Sequence, residues 1–337
     1  MTESIFHLPI YYLDSKEKVD KNIIQDLELL ELNDTSSDRE PLLQSVLNPK
    51  SKIGLLNIDK QLEYFTNDKR FLKQTQQVIK SWKSNIHTEK HTLLYDNFYE
   101  LWSNIRQDES FIDKYYYVDI EYFKFLNNSP QFLQILSIYN LLSPVLSLLV
   151  PFILLLVPFF MLKFNGVKIT MSSYYTVLTQ IFSKHALGNV FNIMSDISWE
   201  KRIYAIVSVA FYFFSIYQNS LVCYRFYKNF KDIHNNLFLL KEYLNTTIDN
   251  MNIVEQHMKT HETYNEFINE MLVRREKCKQ LYDNLKNITD FQVNFTTFNR
   301  KISEVGYIMK YFYEIHMNTE TIETIEYSLG LKPYIEN

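Results

Sequence analysis

The most apolar part of the chain runs from Leu141 to Leu162 and reads LLSPVLSLLVPFILLLVPFFML. Seventeen of its 22 residues are apolar, the other five are serine or proline, and none is charged. A helix of this length is about 33 Å long, and the hydrocarbon core of a bilayer is about 30 Å thick. The segment therefore predicts a membrane-spanning helix, with a buried helix of a soluble domain as the alternative.

A second segment without charged residues runs from Ile203 to Tyr224 and reads IYAIVSVAFYFFSIYQNSLVCY. Gln218 and Asn219 make it a weaker span than the first, and a buried soluble helix is again the alternative. Basic residues flank it, and aromatic residues of the kind that anchor spans at the membrane interface stand near its ends. The basic residues are Lys201, Arg202, Arg225 and Lys228, and the aromatic residues are Trp199, Tyr204, Tyr217 and Tyr224. Two crossings return the chain to its starting side.

Beyond the second span, apolar residues alternate three and four positions apart, which is the a/d pattern of a coiled coil. The positions are Phe230, Ile233, Leu237, Leu240, Leu244, Thr247, Met251, Val254 and Met258. After a slip of phase the pattern resumes at Tyr264 and continues to Ile288. Together the two runs cover about 59 residues, on the order of 90 Å of helix. Residues 226–290 are therefore predicted to pair with another helix, in a second copy or in a partner protein.

The remaining segments predict a mostly α-helical chain. Residues 1–20 are expected to be extended and loosely held, 21–48 to form two short helices around a polar break, and 51–87 to be helical. In the connector, residues 169–182 are predicted to form an amphipathic helix, lying along the membrane or beside the spans. The predicted fold is all-α, with a soluble helical region (1–130), a transmembrane hairpin with its connector (131–225) and long coiled-coil or lever helices with a C-terminal segment (226–337).

Three prolines of the first span, at positions 144, 151 and 158, are seven residues apart. This spacing places them on one face of a helix, within about 20° per step. Each proline lacks a backbone N–H, so neighbouring groups must satisfy the freed carbonyls inside a membrane. Because the span contains no charged residue that would line a path, packing or curvature explains the prolines better than a pore does.

Composition sets limits on the class of protein. The chain has 337 residues and a net charge of -4, which does not indicate a nucleic-acid partner. Its mean hydropathy of -0.21 shows that the apolar spans are a minority of the chain. Two cysteines, Cys223 and Cys278, do not make a disulfide framework or a zinc site. The first twenty residues lack a basic stretch followed by an apolar one, so no cleavable signal peptide is expected.

No motif of the chain predicts catalysis. The five glycines form neither a phosphate-binding loop nor a dinucleotide fingerprint. Two histidine pairs, His87 with His91 and His257 with His261, have the i,i+4 spacing that can share a metal, but no third ligand accompanies either pair. We therefore predict no catalytic, cofactor-binding or metal-binding residues, no cofactor and no enzymatic activity for this chain.

Residues 26–82 resemble the start of the core (lever) domain of MutS-type DNA mismatch repair proteins. A leucine-rich segment, DLELLELND, precedes a polar break, and EPLLQSVLNPKSKIGLLNIDKQLEYFTNDKRFLKQTQQVIKSW follows it. The residues at matching places are Leu43, Leu47, Pro49, Ile53, Leu62, Phe65 and Leu72. Lys60 or Gln61 stands where the family usually has arginine, and the break lacks the family's Gly-Arg. Residues 322–330 and the long helix before them are similar to the family region that precedes its ATPase domain.

The resemblance covers about half of the chain and implies a membrane-anchored MutS-like core or lever protein. It would be non-catalytic by itself and would act with a MutS-type ATPase in cis or trans, with DNA as a further partner. The alternative is a membrane scaffold or tether that self-associates through 226–290, and a third hypothesis is a channel or transporter. In each case the lipid bilayer is a partner. The long soluble ends favour a multi-pass topology with both termini in the cytoplasm.

Overall fold

The computed structural model of the chain describes residues 5–33, 39–82, 89–166, 168–182, 199–290 and 297–336. About 81% of these residues are helical and 2% are in strands, which confirms the all-α prediction. The α-helices are α1 (Lys21–Asp26), α2 (Leu42–Leu47), α3 (Lys52–Leu56), α4 (Lys69–Ser81), α5 (Glu89–Gln107), α6 (Phe111–Lys114), α7 (Pro130–Phe164), α8 (Met171–Phe182), α9 (Trp199–Met258), α10 (Asn265–Ile288), α11 (Phe298–Lys301), α12 (Val305–Met317) and α13 (Thr319–Glu336). Two short strands, β1 (Lys16–Lys18) and β2 (Tyr64–Thr66), pair in antiparallel register.

The chain forms two compact units. The first contains residues 1–128, 232–299 and 308–337, and the second contains residues 129–231 and 300–307. The segments predicted as the N-terminal region and the C-terminal lever region thus contribute to one helical unit. The predicted hairpin region makes up nearly all of the other.

Short polar residues begin several helices. The Asp68 carboxylate accepts hydrogen bonds from the backbone N–H groups of Arg70 (2.7 Å) and Phe71 (3.1 Å), which would otherwise lack partners in the first turn of α4. Ser129 does the same for Phe132 at the start of α7, where Pro130 occupies the first helical position without losing a needed donor.

The apolar stripe that predicted a coiled coil is buried inside the chain's own helical unit. Every one of its positions from Ile233 to Met258 is buried. The chain turns at the slip of phase: α9 ends at Met258, and α10 begins at Asn265. Lys241 Nζ donates to Thr289 O at 3.0 Å and Arg275 to Asn252 Oδ1 at 2.8 Å, so α10 runs antiparallel to the end of α9. One long coiled-coil stalk is therefore not what the described helices form.

Helices α5 and α13 also cover the stripe. The rings of Phe98 and Tyr243 stack at 4.0 Å between centroids, and Tyr243 OH lies 2.7 Å from Ser328 Oγ on α13. Tyr95 OH lies 2.9 Å from Thr247 Oγ1 and accepts a hydrogen bond from Asn250 Nδ2 at 2.9 Å. These pairings give buried polar groups of α9 the partners that burial demands.

The C-terminal end of α13 is fixed to the start of α3. The side chains of Lys332 and Glu336 are at most 1% exposed and form an ion pair at 3.5 Å. Glu336 also accepts hydrogen bonds from the backbone N–H (2.5 Å) and the hydroxyl (2.6 Å) of Ser51, which caps α3. Because the buried carboxylate has both a cation and hydrogen-bond donors, its desolvation is compensated.

The expectation that residues 1–20 are loosely held is wrong for the described residues. Phe6 is only 4% exposed, and its ring meets that of Tyr327 edge-on at 5.2 Å. A Cβ atom added to Gly330 would lie 2.4 Å from Phe6 Cβ, so a side chain at position 330 would exclude this ring. Aromatic packing of a short N-terminal segment against α13 leaves no periodic signal in the sequence.

Candidate membrane-spanning hairpin

Two helices of the described residues are long and apolar enough to cross a bilayer. They are the first part of α7, Pro130–Val150, with a mean hydropathy of 1.8, and α9 from Arg202, with 1.5 in its most apolar window. The α9 segment contains the predicted span 203–224. Pro130–Val150 covers the first part of the predicted span 141–162, and the apolar segment Phe152–Phe164 continues α7 over the rest. Only 22% of the α7 window and none of the α9 window is buried, whereas the core helix of a soluble protein is mostly buried.

The exposed surface of this pair is large and apolar. Along α7 the exposed apolar residues are Leu142, Val145, Leu146, Leu148, Leu149, Phe152, Ile153, Leu155, Leu156, Phe159, Phe160 and Met161, and along α9 they are Ile203, Ile206, Val207, Phe211, Phe213 and Phe214. Soluble monomers rarely expose a continuous apolar patch of this kind. An apolar phase that covers the patch would remove the unfavourable hydration of these side chains.

Several polar side chains of the two helices contact the opposite helix, whereas Gln218 on α9 is exposed. Asn219 Nδ2 donates to Ser147 Oγ, Tyr212 OH donates to Ser147 O at 3.0 Å, and Cys223 Sγ lies 3.4 Å from Leu141 O. Ser143 Oγ lies 3.3 Å from Asn219 O. The partners of later α9 residues lie earlier on α7, so the two helices form an antiparallel hairpin. Asn219, which weakened the sequence prediction of this span, thus has a partner inside the hairpin.

Side-chain hydroxyls lie at the carbonyls that the three prolines of α7 affect. Pro144 cannot donate to Asn140 O, and Ser143 Oγ lies 3.0 Å from that oxygen. Pro151 cannot donate to Ser147 O, which accepts instead from Tyr212 OH. These contacts supply the neighbouring groups that a proline-containing span requires.

The third proline, Pro158, frees the carbonyl of residue 154, and the adjacent Leu155 O accepts from Tyr174 OH at 2.7 Å. Tyr174 belongs to α8, which packs against α7. Residue 174 lies ten positions after the end of α7 and residue 155 lies nine before it, so α8 runs back along α7. Of the two placements predicted for residues 169–182, the one beside the spans is observed.

Aromatic residues mark both ends of the hairpin. At one end Tyr139 and Tyr224 are exposed at the level where Cys223 meets Leu141. At the other end Trp199 is exposed, and the guanidinium of Arg202 lies 5.8 Å from the centre of its ring. Tyrosine, tryptophan and basic side chains at such positions are typical of membrane–water interfaces. On α9, Tyr224 and Trp199 are 25 residues apart, which is roughly 38 Å of helix.

The histidine pairs do not form a metal site among the described residues. The predicted pair of His87 and His91 lies partly outside the described residues, because His87 is not among them. α9 ends at Met258, so His257 and His261 do not share a helix face; the His257 ring lies 4.9 Å from that of Trp82. No group of three or more His, Cys, Asp or Glu side chains in this part of the chain could hold a metal ion.

The two cysteines are free and lie in different units. Cys278 on α10 is fully buried, and burial raises the pKa of its thiol to about 12. A thiol with this pKa is protonated at neutral pH and is a poor nucleophile. Cys278 therefore behaves as a small apolar core residue.

The sequence reasoning missed the polar contacts across the hairpin. A signal for them was present, because Ser143 and Ser147 are four residues apart and Tyr212 and Asn219 are seven apart. Each spacing puts two polar groups on one face of an apolar helix, as expected where helices pair in a membrane.

Comparison with protein-family models, with curated proteins and with solved structures finds no match. The resemblance of residues 26–82 to MutS-type proteins therefore stays a prediction. Action with a MutS-type ATPase, association with DNA, self-association through 226–290 and the absence of enzymatic activity stay predictions as well.

Proposed function

We propose that this protein is a membrane-anchored scaffold, in which the α7–α9 hairpin crosses a lipid bilayer and tethers the helical unit to it. The observation that carries the proposal is that apolar and polar side chains lie on different surfaces of the hairpin. Apolar side chains face outward along both helices, while Ser143, Ser147, Tyr212 and Asn219 are engaged between them. A soluble protein has the opposite division, because its apolar side chains avoid water.

The ends and length of the hairpin support the same proposal. The distance between the two aromatic levels, roughly 38 Å along the helix, exceeds a hydrocarbon core of about 30 Å and lies within the about 40–45 Å that includes the interfacial layers. Backbone carbonyls left free by Pro144 and Pro151 have hydroxyl partners, as a lipid environment without water requires. The helical unit, with its extended buried core, is the part that such an anchor would hold at a membrane.

Arginine substitutions on the exposed apolar face test the proposal. Phe152 is 64% and Leu156 57% exposed on α7, and Ile79 (67%) and Val273 (58%) are matched positions on α4 and α10. We expect the Phe152→Arg/Leu156→Arg variant to lose membrane integration, because a central arginine adds about 2.5–3.5 kcal/mol to the insertion free energy. The Ile79→Arg/Val273→Arg control should integrate like the unchanged protein, since surface substitutions alter stability by only about 0.5 kcal/mol.

The measurement is the fraction of full-length protein that resists alkaline carbonate extraction from isolated membranes. An unchanged protein that is extracted completely, or two arginine variants that behave alike, would contradict the proposal.

A further inference from the structure

A second apolar surface lies just before α7 in the sequence. The 3-10 helix Glu121–Asn128 and the residue before it expose Ile120, Tyr122, Phe123 and Phe125. Tyr122 is 88% exposed, a value that only Met171 equals among the exposed large apolar residues of the described chain. Elsewhere in the first unit such residues are more scattered, whereas here four of six consecutive positions are apolar and exposed.

The geometry of this segment sorts its side chains by polarity. A 3-10 helix has three residues per turn, so residues three apart lie on the same side. Tyr122 and Phe125 therefore share one side, and Glu121 and Lys124 share another. The segment is therefore amphipathic, with apolar and charged side chains on different sides of the 3-10 helix.

The segment is also held in place. Asn127 is fully buried, accepts a hydrogen bond from Val118 N at 2.8 Å and donates one to Val118 O at 2.9 Å. These two bonds close residues 118–127 into a loop, which we name the aromatic loop. Next to it, the buried Tyr117 donates to Met309 O at 2.7 Å. The exposed rings are thus displayed by a fixed backbone.

We propose that the aromatic loop inserts into the interfacial layer of the bilayer that the hairpin crosses. The inference rests on the proposed function, because it needs a membrane next to α7. Phe125 lies five residues before Pro130, which is at most about 17 Å of chain, and Pro130 lies nine residues, about 14 Å of helix, before the Tyr139 level. The loop is thus tethered directly to the helix that enters the bilayer, and tyrosine and phenylalanine are side chains that interfaces accommodate well.

The charges of the loop specify the kind of lipid surface. Asp119 and Glu121 are acidic, and Lys124 is the one basic residue between positions 118 and 127, at 3.5 Å from Asp119. A loop with a net negative charge gains nothing from anionic lipids. The surface that fits is zwitterionic, and contact with it depends on apolar side chains rather than on salt-sensitive attraction.

Spin labels on single cysteines test this placement in full-length protein reconstituted into phosphatidylcholine vesicles. The background carries Cys223→Ser and Cys278→Ala, and labels are attached to Tyr122→Cys, Phe152→Cys or Val273→Cys. Collision with oxygen, which concentrates in lipid, is compared with collision with a water-soluble nickel chelate. A label at Phe125→Cys repeats the measurement in the loop, should the Tyr122→Cys protein fail to fold.

We expect the ratio of oxygen to nickel collisions to be highest at position 152, lowest at 273 and severalfold above the 273 value at 122 or 125. Added salt should leave the loop value unchanged. A loop label that matches position 273, while position 152 reports lipid, overturns this inference alone. A label at 152 that matches 273 overturns the proposed function together with it.

Discussion

His316 shows how a single buried side chain adapts to the core of the helical unit. It lies in α12 among aromatic rings, 4.6 Å from Phe111 and 4.5 Å from Phe312 between ring centres. Its Nδ1 lies 2.6 Å from Phe312 O, which fits a neutral ring that donates from this nitrogen. Burial, opposed by this hydrogen bond and assisted by the charge of Arg106, lowers the pKa of His316 from 6.5 to about 4.

This pKa predicts that acid destabilises the helical unit. The folded-state pKa lies below the unfolded value, so the unfolded chain binds more protons between pH 6.5 and about 4. The free energy of unfolding should fall as the pH decreases through that window, by up to about 3 kcal/mol from this group. Urea unfolding of the detergent-solubilised protein at pH 7 and pH 4.5 would measure the loss. The His316→Phe variant should lose less stability between these pH values; an identical loss would contradict the assignment.

At the scale of the element, α7 shows how a helix with three prolines can serve as a span. Proline removes a donor from the helix, and no water replaces it within lipid. Three hydroxyls lie at or beside the affected carbonyls of α7. Ser143 supplies one from α7 itself, Tyr212 supplies one from α9, and Tyr174 supplies one from α8. The prolines therefore make α7 depend on its neighbouring helices.

This dependence predicts a coupling between Tyr212 and Pro151. Tyr212→Phe should lower the unfolding free energy by about 1 kcal/mol, because Ser147 O loses its donor. In a Pro151→Leu background the same change should have less effect, since leucine restores a backbone N–H for that carbonyl. Unfolding of the four proteins in detergent micelles gives the coupling energy. Equal effects of Tyr212→Phe in both backgrounds would show that the hydroxyl does not serve this carbonyl.

At the scale of the whole molecule, an antiparallel hairpin brings both of its flanks to the same side. The ends that meet at Tyr139 and Tyr224 lead to the two long segments that build the helical unit. A unit made of segments from both sides of the hairpin in sequence can form only if the chain returns after crossing. The two crossings that we propose for the hairpin and the composition of the unit thus agree with each other.

The topology is testable with a membrane-impermeant thiol reagent on intact cells. We expect Ile79→Cys and Val273→Cys to react only after the membrane is permeabilised, because both soluble segments are predicted to be cytoplasmic. Lys168→Cys, in the connector, should react without permeabilisation. Cysteines at 79 and 273 that react on opposite sides would show that one of the two helices does not cross the membrane.

The sequence by itself determined the helical character, the two apolar segments and the positions of the buried stripe from Ile233 to Met258. These features depend on local composition and periodicity, which can be read from the sequence whatever surface the segment packs against. Only the tertiary structure decided that the stripe packs against α5, α10 and α13 of the same chain, that Phe6 is buried beside Gly330, and that Tyr212 and Tyr174 lie at carbonyls of α7. Each of these contacts joins residues far apart along the chain or in different helices, and a repeat of apolar positions reports which face is buried but not what covers it.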